Sequence, residues 1–198
     1  MKQSYHHGNL KAEFVRIAFE FVHHEDIDKL TLKVLSEQTN TSRSAIYKHF
    51  SSKDELLKAV MEKAFEEFDS ILVPILSNQN EKLIDRFFNA SYAYINWAKA
   101  NPNLYRFLFT QKYAYIRESF ITIKNQECKS FVALQNAVEE GQKQGLLKDG
   151  DSLNYAIVIW SSLHGLSSLV LDSFKDVELS YESVLQSMLQ TLLTGIVK

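Results

Sequence analysis

Apolar side chains recur at spacings of three and four along most of this chain, and only six glycines and two prolines interrupt them in 198 residues. That spacing lays the apolar groups along one stripe of a helix, whereas a half-buried strand needs strict alternation. No segment of useful length alternates. The chain is therefore expected to be all-α, with about nine helices.

Local signals divide it. Asn9, after Gly8, can cap a first helix whose Leu10, Phe14, Ile17, Ala18 and Phe21 share a face. Thr31 can cap a second with Leu32 and Leu35 inward, and Asn40 is the residue best able to turn left-handed after it. Ser52, Lys53, Asp54 and Glu55 have the form of a capping box, opening a long helix that Pro74 kinks or ends. A fifth helix follows from Leu83, and Asn101-Pro102 opens a short aromatic sixth. One helix is expected over residues 113–144, closed by Gly145, with Asp151 capping an eighth and Ser180 a ninth.

Composition excludes several classes. Hydrophobic content of 45% and charged content of 23% are ordinary for a globular chain. The single cysteine, Cys128, allows no internal disulfide, and no secretory leader is evident, so the cytoplasm is expected. No apolar run approaches the roughly 18 residues of a membrane span, the longest being broken by Ser161, Ser162 and His164. Net charge is -2, but it divides into +1 over residues 1–60 and -3 over the rest. Five of six histidines lie in the first part and would add to its charge if protonated near phosphate.

The stretch over residues 31–57, TLKVLSEQTNTSRSAIYKHFSSKDELL, reads as a helix-turn-helix with its recognition helix at residues 42–49. Ala45, Ile46 and Phe50 supply its buried side, leaving Ser42, Arg43, Ser44, Tyr47, Lys48 and His49 for DNA. Arg43 can pair its fork with guanine, Ser44 is adaptable, and Tyr47, Lys48 and His49 suit phosphate or sugar. Thr31 and Lys53 stand at helix N-termini, where backbone N–H groups favour phosphate oxygens. The alternative is a solvated polar helix face.

The segment AIYKHFSSKDELL, preceded by LTLKVLSEQTNTS, resembles the helix-turn-helix of TetR-family transcriptional regulators, and SYHHGNLKAEFVRIAFEFV resembles the first helix of one branch of that family. Where the family usually has Ala in the second helix and Gly-Val in the turn, this chain has Ser36 and Asn40-Thr41. Those hydroxyls stand where apolar contacts are expected. The resemblance implies a DNA-binding domain over residues 1–52 and a helical ligand-binding and dimerisation domain over residues 53–198. It implies a homodimeric repressor on a pseudo-palindromic double-stranded DNA operator, released by a small molecule. The other reading is a TetR-like co-regulator acting through a protein partner with weak or no DNA binding.

Trp160, His164, Gly165, Leu166 and Leu169 resemble a C-terminal pattern of some of these regulators. Trp160 and His164 either pack in the core or line a pocket that Phe88, Tyr92, Tyr105, Phe109 and Phe131 complete, which suits an apolar or aromatic effector. Leu153, Ile157, Trp160, His164, Leu171 and Phe174 are expected near one face of the eighth helix. Ser162, Gly165 and Leu169, with Leu189, Leu192 and Ile196 of the ninth, form a candidate dimer contact; alternatively the ninth helix caps its own subunit. There is no Gly-rich phosphate loop, nucleophile elbow or paired metal spacing, so no catalytic residue, metal or cofactor is expected. The adjacent pairs His6-His7 and His23-His24 diverge by about 100° on a helix and make no bidentate site.

Overall fold

The computed structural model describes residues 10–118, 128–173 and 180–197. Over these the fold is all-helical, with ten α-helices and two 3-10 helices. They are α1 (Leu10–His24), α2 (Leu32–Gln38), α3 (Arg43–Tyr47), α4 (Lys53–Leu76), α5 (Leu83–Ala100), α6 (Pro102–Phe109), α7 (Ala114–Glu118), α8 (Lys129–Lys143), α9 (Ser152–Asp172) and α10 (Tyr181–Ile196). The 3-10 helices lie at Ile27–Lys29 and Gln111–Tyr113. The Asn9 cap, the His6-His7 pair and Phe174 fall outside the described residues.

Two of the expected boundaries differ. The single helix expected over residues 113–144 is two, because Cys128 is extended and opens α8. Pro74 does not end α4, which runs on to Leu76; a proline so near a helix end removes few internal hydrogen bonds.

By compactness the chain forms two units, Met1–Glu66 with Asn103–Phe120, and Glu67–Pro102 with Ile121–Lys198. The boundary expected at residue 52 follows the motif; compactness instead assigns the start of α4 and a distant segment to the first unit. In that unit Phe14, Ala18, Phe19 and Val22 of α1 meet a core that includes Leu30, Leu35, Ile46, Phe50, Leu56 and Val60. Each large apolar side chain so buried contributes about 1.5–3 kcal/mol. The buried stripe of α1 is turned slightly from the expected one, leaving Leu10, Ile17 and Phe21 half-buried.

In the second unit α9 packs against α5 and α8, and α10 against α5 and α9. Cys128 gives α8 no side-chain cap. Asp69 of α4 does so instead, its Oδ1 accepting from the Ser130 N–H at 3.0 Å. The far end closes as a Schellman motif: Gly145 takes φ +70°, its N–H reaches the Gln142 carbonyl, and the Leu146 N–H reaches that of Gly141 at 2.9 Å. Gly141 admits Leu83 and Leu147 so closely that a Cβ there would lie 2.6 Å and 2.7 Å from their side chains.

The inward face of α9 is Ala156, Ile159, Leu163, Leu166, Ser167 and Leu171. This corrects the expected one, since Ile157 is exposed and Trp160 and His164 are half-buried. α9 is also apolar enough to pass as a candidate span, with mean hydropathy 1.2 over 18 residues, contrary to expectation; only 28% of that window is buried. One such helix is weak evidence of a membrane, and α9 supplies part of the core of its own unit.

Candidate nucleic-acid interface

Three hydroxyl caps build the motif. Thr31 Oγ1 accepts from the Val34 N–H at 3.1 Å and so starts α2. Ser42 Oγ accepts from the Ala45 N–H at 3.2 Å and starts α3. Ser52 Oγ accepts from the Glu55 N–H at 3.1 Å, while the Glu55 carboxylate accepts from the Ser51 N–H at 2.6 Å and Ser51 Oγ at 2.9 Å. The reciprocal bond thus reaches one residue further back than in the usual capping box. Hydrogen bonds from the Ser51 backbone and hydroxyl hold the Glu55 carboxyl below the usual range.

The turn between α2 and α3 rests on Asn40, which takes φ 51°. Asparagine is among the few residues that visit this region readily. The hydroxyls that replace the family's apolar groups are satisfied. Ser36 Oγ donates to the Lys33 carbonyl at 2.8 Å, and the Thr41 and Thr39 hydroxyls share a hydrogen bond at 2.8 Å. A buried hydroxyl with a partner avoids most of its desolvation cost.

On α3, Ile46 is 1% exposed and anchors the helix inward. Arg43, Ser44 and Lys48 are exposed with the Ser42 cap, and Tyr47 stands 57% exposed. Among the described residues neither Arg43 nor Lys48 is held in an ion pair. His49 is only half-exposed, its ring 5.9 Å from that of Phe14. Thr31 is exposed and Lys53 half-buried. From residue 31 to residue 53 the chain carries four basic side chains and one acidic one. The result is a polar, basic helix presented outward from an apolar anchor, the arrangement that inserts into a major groove.

Sequence reasoning missed a second layer of this unit. Both oxygens of Asp28, in the 3-10 helix before α2, are engaged by side chains from beyond α6: Lys112 Nζ and the Tyr113 hydroxyl. Tyr115 donates to Asp54, in the first turn of α4, at 3.2 Å. Hydrogen bonds from Lys112 and Tyr113 hold the Asp28 carboxyl below its usual range, helped by the charges of Lys112 and Lys53. Burial and the Asp28 carboxylate together push the Tyr113 phenol up. No local signal announces a pairing across 84 residues.

The expected effector residues fall into separate groups. Phe131, Trp160 and His164 form a string, with ring centroids 6.3 Å and then 5.5 Å apart, the second pair stacked. Phe88 lies elsewhere, in an open groove with Gln186, Gln190, Leu193, Thr194 and Val197. Tyr92 is half-buried on α5. Tyr105 and Phe109 belong to the first unit, their rings 5.1 Å apart. Of the expected dimer residues, Gly165 and Leu169 are exposed and Ser162, Leu192 and Ile196 half-buried. Leu189 is 3% exposed and packs within its own chain. Among the described residues no three His, Cys, Asp or Glu side chains cluster as metal ligands.

A short helix anchored by Ile46, with Arg43 and Lys48 outward and two helices before it, has the form of a helix-turn-helix. Residues 15–60 match the family of bacterial regulatory proteins of the tetR type, and residues 87–192 match a tetracyclin repressor-like C-terminal domain. The chain belongs to the TetR family of transcriptional regulators. A protein of unknown function from Rhodococcus sp. RHA1 has the same fold, with 23% identity, TM-score 0.80 and all of both chains covered. A TetR-family regulator from Pectobacterium atrosepticum is 20% identical, TM-score 0.73, covering 96% of this chain and 94% of its own. No curated protein matches the chain.

Proposed function

We propose that this protein is a homodimeric repressor that binds a pseudo-palindromic operator in the cytoplasm and leaves it when a small apolar or aromatic molecule binds. Its DNA-reading part is residues 1–52, and residues 53–198 hold the effector and the second subunit. The observation that carries the reading is the exposure of Arg43, Ser44, Tyr47 and Lys48 on a helix anchored by buried Ile46. Arg43 reads a base edge; Ser42, Ser44, Tyr47, Lys48, His49, Thr31 and Lys53 hold phosphate, sugar or an adjacent base.

Dimerisation runs through the outer face of α9, where Ile157, Val158 and Leu169 are exposed around Gly165, with Leu192 and Ile196 of α10 alongside. Two subunits bring two recognition helices to half-sites about 34–36 Å apart. The effector contacts the Phe131, Trp160 and His164 string and acts by binding the two conformations with different affinity. The hydrogen-bonded hydroxyls of Ser36 and Thr41 support an intact helix-turn-helix and so favour DNA binding over the reading as a co-regulator acting through a protein partner. Selection of duplexes from random DNA tests the proposal: an enriched palindrome supports it, and no enrichment above bulk DNA sinks it.

A further inference from the structure

Asp28 sits where a DNA-binding protein least benefits from a negative charge. It lies three residues before the Thr31 cap, and the segment that binds it through Lys112 and Tyr113 also reaches Asp54, the neighbour of Lys53 at the start of α4, through the Tyr115 hydroxyl at 3.2 Å. The charge of Lys53 helps to lower the Asp28 pKa. A bare carboxylate there would draw Lys53 toward itself and repel approaching phosphate. The carboxylate is not bare. Lys112 neutralises one oxygen and the Tyr113 hydroxyl occupies the other. Tyr113 is 8% exposed, and its ring packs edge-on against Phe107 at 5.1 Å. Among the described residues Lys53 makes no ion pair, so its ammonium remains available.

We propose that Lys112 is a positioning residue for DNA binding: by neutralising Asp28 it leaves Lys53 free to hold a phosphate. The proposal rests on the DNA-reading assignment above. It gives the Gln111–Tyr113 turn a role distinct from packing. Withdrawal of that turn would uncover the Asp28 charge beside a phosphate-binding lysine and weaken DNA binding without moving α3.

The test uses the full chain and the duplex that wild type enriches from random DNA, with affinity followed by fluorescence anisotropy across a salt series. Lys112→Met is expected to weaken binding about fivefold, the scale of an exposed ion pair, and to flatten the salt slope by about 0.9, the loss of one phosphate contact. Lys112→Arg should bind as wild type. Asp28→Asn should bind at least as tightly as wild type, and Asp28→Asn with Lys112→Met should recover both affinity and slope. A packing role predicts the opposite, since the double variant would then be no better than Lys112→Met. That result would also follow if Lys112 itself touched DNA, and it overturns the proposal, as does unchanged binding by Lys112→Met. Failure of wild type to enrich any duplex removes the DNA-reading assignment, and the proposal with it.

Discussion

Arg43 follows directly on the Ser42 cap, exposed and outside any ion pair among the described residues. A fork so placed can reach two acceptors on one guanine. Arg43→Ala should weaken specific operator binding by about 1–3 kcal/mol and relax preference at one base position. Gel-shift affinity and selected-site profiles unchanged from wild type would remove Arg43 from the reading face. Acid sensitivity belongs to the same scale. Glu13, Asp28 and Glu55 are all held below the usual carboxylate range, by hydrogen bonds from Arg16, from Lys112 and Tyr113, and from Ser51 respectively. A carboxyl whose folded pKa is depressed favours the folded state above its unfolded pKa, about 4, and that advantage disappears as pH falls through the folded value. The melting midpoint should therefore hold steady above about pH 5 and decline below pH 4. Asp28→Asn should show a shallower decline.

Helix starts with a hydroxyl or carboxylate cap were legible because the cap and its target lie within three residues. Thr31, Ser52, Asp151 and Ser180 all cap the helices read from them, while Ser42, read as the first residue of the recognition helix, is its cap. The start of α8 was not legible, because Cys128 gives it no cap and the compensating carboxylate, Asp69, lies 61 residues away. The same range of separation hid the contact between α5 and α8. Arg86 is 0% exposed, and nothing in its neighbouring residues marks it for burial. Its Nη2 donates to the Glu140 carboxylate at 2.6 Å, and its Nη1 to the Asn78 carbonyl at 3.4 Å. Burial opposes the charge on Glu140, but hydrogen bonds from Arg86, Gln79 and Gln144 outweigh it and hold the carboxyl low. Removing one partner of such a pair leaves the other charge uncompensated. Glu140→Ala should cost about 3 kcal/mol in urea unfolding, and adding Arg86→Met should return part of it. A loss under about 1 kcal/mol, the scale of a surface pair, would show that Arg86 finds water or another acceptor.

At the scale of the molecule, helical class and the DNA-reading motif were readable because both depend on short-range spacing. The face of α9 that packs within its own unit was not, since an almost continuously apolar helix has no single stripe to choose. Ala156, Ile159, Leu163 and Leu166 turn inward, which leaves Ile157 at 36%, Val158 at 47% and Leu169 at 44% exposure. A lone exposed leucine needs no explanation, but three large apolar groups on one helix beside Gly165, where a Cβ would meet nothing within 4 Å, form a surface that another helix can approach closely. A stable dimer needs about 1,200–2,000 Å² of buried surface in total, so a charge at the centre of this face should be decisive. Leu169→Glu is expected to shift the protein from dimer to monomer in sedimentation equilibrium while helix content stays at the wild-type level. Operator affinity should fall with it, because each half-site must then capture a subunit independently. A wild-type chain that sediments as a monomer at micromolar concentration would count against this interface. A Leu169→Glu protein that remains dimeric would place the interface elsewhere and leave the exposed face of α9 to another partner.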